Sequence, residues 1–399
     1  MGARKNRDNV KILGWVAFFG GLSQDMIQPV LPIFYASVLG LSTSTIGLIE
    51  GSLTSIVSVF KIVSGFLSDK LRRRKRLIFV GYLLSAMSRF SLGFITQGWH
   101  AFGLRLTDGV GKGTKDAPRD ALVARSAKQG KTGFSFGYQR MLDTFGSVLG
   151  PLVTYWMLAH LFSGGFKYRV VFFTSGIIAL MTILLVGLLV KEDRSQSMGG
   201  QPYRFGMDLL KGRFALFLLI MLVFTLGNSS DAFLILRARN VGVNPAVIPI
   251  VYAVFNLFYA ALSLPAGSLS DKVGRVKVMQ LGWTIYALAY LGFALARQPW
   301  HIWALYAFYG LFYATTEGVA KSLVAHVVKD QDRGTAYGLF NASLGLMSLP
   351  ASLIAGFLWD KVSPAAPFYF GSACAFIALI CLSVAGIEKI GQVQSGQAT

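Results

Sequence analysis

Charge is scarce in this 399-residue chain. Only 14% of residues are charged against 54% hydrophobic, and the mean hydropathy is +0.55, whereas soluble domains carry about a quarter charged residues. Acidic residues are scarcer still, 18 against 38 basic, leaving a formal net charge of +20. Cysteine and histidine are nearly missing. Cys374 and Cys381 fall in one apolar segment, where they read as packing residues, and the four histidines are scattered. That set offers no metal-ligand spacing, and neither the nucleophile nor the metal cluster that an enzyme would need. No cleavable signal peptide is evident; the charged start followed by a full-length apolar segment fits a first span that also serves for insertion.

What is present is apolar sequence in long runs, at roughly 11–37, 45–69, 77–96, 99–123, 134–161, 169–190, 213–236, 246–269, 277–296, 301–325, 335–358 and 366–387. A span needs about 20 such residues. With no water in the bilayer core, segments of this length must be helices, since transmembrane strands are shorter and alternate in polarity. The expectation is an all-α membrane protein of twelve transmembrane helices. The excess positive charge does not point to nucleic acid, because it collects in alternate connections. Arg4, Lys5, Arg7 and Lys11 precede the first span, and "KLRRRKR" (Lys70 to Arg76) joins the second to the third, while "GLSTST" and "TQGW" carry no charge. By the positive-inside rule both termini are expected in the cytoplasm, and the protein in the plasma (inner) membrane among lipids.

The chain repeats itself. "GFLSDKLRRRKR" from Gly65 matches "GSLSDKVGRVKV" from Gly267 at an offset of 202, and "GGLSQD" ending at Asp25 matches "LGNSSD" ending at Asp231. At an offset of 201, "QGWH" pairs with "QPWH", Leu122-Val123-Ala124 with Leu323-Val324-Ala325, Gly133 with Gly334 and Gly137 with Gly338. Two pseudo-symmetric six-helix halves are expected, 1–190 and 213–399, joined by a polar cytoplasmic linker over 191–212.

Three motifs resemble those of the major facilitator superfamily, and the resemblance covers nearly the whole chain. Gly65-Phe-Leu-Ser-Asp69-Lys with Arg73 and Arg74 resembles the family's loop motif between spans two and three, repeated more completely from Gly267 to Lys277; Arg72 stands where the family usually has glycine. Arg105-Leu-Thr-Asp-Gly109-Val-Gly111 resembles the arginine-and-glycine motif associated with proton coupling. Gly146-Ser-Val-Leu-Gly150-Pro151 resembles the antiporter motif, with Leu152 and Val153 replacing the glycines that usually follow the proline. The resemblance implies the major facilitator fold and secondary transport by alternating access. Physically, Gly65, Asp69 and Arg73, with Gly267, Asp271 and Arg275, read as a conformational latch, in which glycine permits close approach and a carboxylate holds two cytoplasmic helix ends together; a static anchor is the bland alternative. Gly146, Gly150 and Pro151 read as a packed, bendable seam or hinge, and ordinary helix packing would explain them almost as well.

The densest charge lies inside the fourth span. Its "GVGKGTK" is no phosphate loop, which would need Gly-Lys-Ser/Thr after a strand. On a helix Arg105, Asp108, Lys112, Asp116 and Arg119 climb one face in alternating sign and neutralise one another. Each intramembrane charge costs about 2.5–3.5 kcal/mol on insertion scales, so the ladder is expected to face an aqueous cavity between the halves. Lys115, Arg140, Asp143, Glu317 and Lys321 are expected at the same substrate cavity; Glu317 corresponds to Asp116 by the repeat. Lys61 and Arg89 also lie mid-membrane. Aromatics such as Tyr138, Trp156, Tyr252, Phe255, Tyr259, Tyr309 and Tyr313 either line that space or pack elsewhere.

Two acids lack a cation one helical turn away: Asp25, flanked by Gly21, Leu22, Gln28 and Pro29, and Asp231, flanked by Gly227, Asn228, Leu234 and Ile235. Glu50 is also unpaired along its helix but is expected near the outer interface. Burial disfavours a charged carboxylate, so Asp25 and Asp231, with Arg105, are the proton-coupling candidates; a basic residue from another helix would instead keep Asp25 ionised. The function expected is proton-coupled antiport, exporting a small organic solute from a monomer with no cofactor and no metal. An importer or facilitator of an anionic nutrient or metal chelate is the alternative, suggested by Arg105, Lys112, Lys115 and Arg119; a channel would pass electrodiffusive current.

Overall fold

The computed structural model describes residues 2–71, 73–127, 132–161, 164–192, 212–328 and 332–385, except the side chains of 2–8, 69, 132, 133 and 325. Of the linker expected over 191–212, residues 193–211 lie outside the described residues. Fourteen α-helices are described: α1 (Gly2–Ile27), α2 (Leu31–Ser37), α3 (Thr43–Leu71), α4 (Arg74–Ser91), α5 (Gly98–Ser126), α6 (Thr132–His160), α7 (Phe166–Leu184), α8 (Arg213–Gly227), α9 (Ala232–Asn240), α10 (Ile248–Val273), α11 (Arg275–Leu295), α12 (Pro299–Val327), α13 (Arg333–Lys361) and α14 (Ala366–Val384). No strand occurs among the described residues. Twelve helical units result, because two expected spans are each broken once.

The breaks have local causes. Pro29 has no amide to donate to the carbonyl of Asp25, so α1 ends and α2 restarts with Pro32 in its first turn. Between α8 and α9 the run Gly227-Asn228-Ser229-Ser230-Asp231 combines glycine with short polar side chains that compete for backbone groups; the Ser230 hydroxyl accepts from the Ala232 amide at 3.3 Å. Both breaks sit beside the acids singled out by the repeat. Gly274, at φ 107°, closes α10 and opens α11 in one residue, a conformation that favours glycine.

Eight of these units are long and apolar enough to cross a membrane, by length and composition. The other four are α1–α2, α5, α6 and α12. They carry Asp25, the charge ladder, Arg140 with Asp143, and Glu317 with Lys321.

Within the first seven helices α1 packs on α6 and α7, and α5 on α3 and α4; within the last seven α12 packs on α10 and α11, and α14 on α8 and α11. The two sets meet through α3 against α13 and α6 against α10. Small residues let the α3–α13 backbones touch. A Cβ at Gly47 would stand 2.3 Å from the Ser352 carbonyl oxygen, and one at Gly356 2.6 Å from the Ser44 Cα. This contact closes the end of the molecule that bears Thr43 and Asp360. Toward the opposite end, where the basic loops lie, a cavity separates the two sets.

Candidate functional site

The cavity has a volume of about 620 Å³ and two unlike walls. The first helices supply mainly polar groups, among them Gln24, Gln28, Glu50, Thr54, Lys61 and Lys112; the last helices supply the aromatic residues Phe224, Tyr252, Trp283, Phe312 and Tyr313 together with polar ones such as Asn228, Asp231, Glu317 and Lys321. Phe224 and Trp283 stack with ring centroids 4.8 Å apart and planes 7° from parallel. Of the expected aromatics, Tyr252 and Tyr313 line the cavity, Phe255 and Tyr309 pack behind them, and Trp156 faces outward beside His160.

The α5 ladder pairs with itself as expected, but its first two rungs do not face the cavity. Arg105 is fully buried and Asp108 is 1% exposed. Arg105 donates to Asp108 at 3.3 Å and grips Glu50 of α3 through Nε at 3.1 Å and Nη2 at 2.7 Å. Glu50, without a cation along its own helix, is 3% exposed and paired with a partner on another helix. Arg89 of α4 approaches Asp108 at 3.7 Å and donates to Ser23 at 2.8 Å, while Lys112 meets Asp108 at 3.1 Å and reaches the cavity. Three cations thus surround two carboxylates inside the protein. The ladder's lipid-exclusion problem is solved by neighbouring helices rather than by water, because carboxylate and guanidinium partners converge from α3 and α4.

Further along α5, Asp116 accepts from Lys61 at 3.0 Å and Lys115 at 3.1 Å, with Arg119 at 3.8 Å. Lys115 also lies 4.8 Å from the centre of the Tyr82 ring. Arg140 of α6 meets Asp143 at 3.9 Å and reaches across to Tyr259, which donates to Glu317; Glu317 also accepts from Lys321 at 3.2 Å. Of the nine residues expected in the cavity, Lys112, Glu317 and Lys321 line it. Asp108, Lys115, Asp116, Arg119, Arg140 and Asp143 do not.

Asp25 and Asp231 make no ion pair among the described residues. Asp25 is 7% exposed, at the junction of the two helix sets. Asn256 of α10 places its amide nitrogen 3.4 Å from Asp25 Oδ2 and donates to the Ser147 carbonyl at 2.9 Å. That carbonyl is available because Pro151, four residues on, has no amide to give it. Asp231 lines the cavity in the α8–α9 break and accepts from the Tyr309 hydroxyl at 2.6 Å. Neither Asn256 nor Tyr309 had a sequence signal as an acid's partner, since both lie on other helices.

The seam glycines face α1. A Cβ at Gly146 would stand 2.1 Å from the Phe18 carbonyl oxygen, and one at Gly150 2.6 Å from that of Leu22. They serve close approach inside the first set of helices, and α6 runs through Pro151 as one helix. At the latch, the Asp69 side chain lies outside the described residues. Gly65 would make only ordinary contact with Ala117 at 3.7 Å, and nothing lies within 4 Å of a Cβ at Gly267. In this conformation neither glycine makes a close backbone approach among the described residues. Arg73 is exposed, and Asp271 is 71% exposed, 3.8 Å from Arg275 of the adjoining helix.

The chain matches the Major Facilitator Superfamily sequence profile over residues 13–236 and 214–389. It is 37% identical over 385 residues, 95% of each chain, to an uncharacterised MFS-type transporter of Methanocaldococcus jannaschii. It is 25% identical to the multidrug resistance protein MdtG of Proteus mirabilis, covering 94% of each. Its fold resembles that of the nucleoside transporter NupG, with a TM-score of 0.78 at 13% identity over 94% of this chain and 98% of that one. It also resembles that of a D-xylose-proton symporter, with a TM-score of 0.73 at 16% identity over 94% and 96%.

Proposed function

The chain belongs to the major facilitator superfamily, a multi-pass membrane secondary transporter of a small-molecule substrate, and from that premise we propose that it exports a small organic solute in exchange for protons. The carrying observation is Asp25, a buried carboxylate without a cation, tied by Asn256 to the opposite helix set beside an open cavity. Such an acid can bind a proton in one conformation and release it in the other, while the two sets rock about the central site. Asp231 is the equivalent acid of the second repeat, and Arg105 fixes α5 to α3 between them. The antiporter-like Gly146 to Pro151 motif and the likeness to MdtG favour export. With termini inside, the cavity opens to the cytoplasm, the side from which an exporter loads. The protein is placed in the plasma membrane as a monomer, with the Gly65–Arg73 and Gly267–Arg275 segments as a latch engaged when the cytoplasmic ends close.

Three lysines line the cavity, which gives the competing reading of an anion importer its support. Proteoliposomes with imposed pH gradients separate the two. Antiport accumulates substrate when the lumen is acidic, and symport when the outside is acidic. Asp25→Asn should abolish accumulation driven by the gradient while leaving counterflow exchange; accumulation equal to the parent's removes Asp25 from the mechanism.

A further inference from the structure

The cavity's charges are not equivalent. Five of the six charged residues lining it face an opposite charge within 3.2 Å: Glu50 on Arg105, Lys61 on Asp116, Lys112 on Asp108, and Glu317 and Lys321 on each other. The sixth, Asp231, has among the described residues only the Tyr309 hydroxyl. Beside it in the α8–α9 break, the Asn228 carboxamide oxygen is buried with no hydrogen-bond partner among the described residues. An orphaned buried acceptor is costly unless something donates to it. The C-terminal end of α8, the negative end of that helix, also terminates here at Gly227. Around this point the wall is aromatic: Tyr313 is partly exposed to the cavity, with Tyr252, Trp283 and Phe312 packed closely behind its surface.

From these features we infer that the α8–α9 break recognises the protonated amine of a substrate with a flat, apolar body, Asp231 accepting from its N–H groups, Asn228 turning its carboxamide toward the cavity as a second acceptor, and the aromatic wall led by Tyr313 packing the body. This deepens the transport reading and rests on the cavity being the substrate site. The lysines do not compete for that role, because each already holds a carboxylate. For an anion they offer charge already balanced by that carboxylate, whereas an ammonium pairs a carboxylate that has no cation among the described residues. Aromatic faces around a cation add attraction that they do not offer an anion.

Three probes of one shape and different charge test the inference: 2-(1-naphthyl)ethylammonium, the neutral 2-(1-naphthyl)ethanol and 1-naphthylacetate, titrated against the full-length protein in nanodiscs by calorimetry. The ammonium is expected to bind about tenfold or more tightly than the alcohol, the scale of one charge-assisted hydrogen bond, and the acetate most weakly. Asp231→Asn should bring the ammonium to the alcohol's level, and Asp231→Glu should restore part of the preference, which separates lost charge from lost fold. Preference for the acetate, equal binding of all three, no binding of the ammonium at millimolar concentration, or an unchanged preference in Asp231→Asn overturns the inference. Because these are equilibrium titrations, they stand apart from proton coupling: ammonium binding without pH-driven transport would refute the exchange mechanism and leave the site intact.

Discussion

The carboxylate of Asp360, at the end of α13, caps the first turn of α3 through Ser44. One oxygen accepts from the Ser44 amide at 2.8 Å and its hydroxyl at 2.6 Å, and the other from the Thr43 amide at 3.2 Å. The residue that caps α3 therefore belongs to the opposite set of helices. Any conformation that opens this end must leave those amides to water. Asp360→Ala should shift the population toward the state open at this end by about 1 kcal/mol, roughly fivefold, the usual worth of an exposed cap. Thiol labelling of a cysteine introduced at Ser348, on the cavity wall, reads the shift from that side. A labelling rate equal to the parent's would show that the cap does not hold the end closed.

Glu50 neutralises Arg105 at the edge of the cavity, where the two side chains are only 3% and 1% exposed. Glu50→Gln leaves a buried guanidinium without its main partner, and losses of about 3–5 kcal/mol accompany such a break. Thermal unfolding in detergent should fall sharply for Glu50→Gln and recover in part when Arg105→Gln is added. If the double variant is less stable than either single one, the pair is not the unit that matters.

Gly146 has backbone within 2.1 Å of where a Cβ would stand, so even alanine forces α1 and α6 apart. Overpacking of this kind costs about 1–3 kcal/mol. Gly146→Ala should lower the unfolding temperature, and Gly137→Ala, where nothing lies within 4 Å of the added carbon, serves as the control. Equal effects at the two positions would disprove the close-approach role.

Asn256 joins Asp25 to the carbonyl that Pro151 frees. Asn256→Leu removes both donations and leaves a buried carbonyl unpaired, at about 1–3 kcal/mol. We expect pH-driven transport to weaken and its pH profile to move, while equilibrium substrate binding changes little. Loss of binding in proportion to transport would mark Asn256 as a structural residue instead.

The sequence by itself determined that this chain is helical and membrane-embedded, that it repeats, and that Asp25 and Asp231 have no cation along their own helices. Those properties are local: bilayer thickness sets segment length, backbone groups must be satisfied within the segment, and residues three or four apart share a helix face. Tertiary structure decided which helix faces meet and at what depth. Glu50 reads as unpaired in the sequence because its partner, Arg105, lies 55 residues away on α5, and only the packing of α3 against α5 brings the two together. The same holds for Asp108, turned toward Arg89 rather than the cavity, and for Asn256 at Asp25. A 3.6-residue period says which residues share a face. What that face touches depends on how the helices rotate and cross, which is settled by packing among segments distant in the chain.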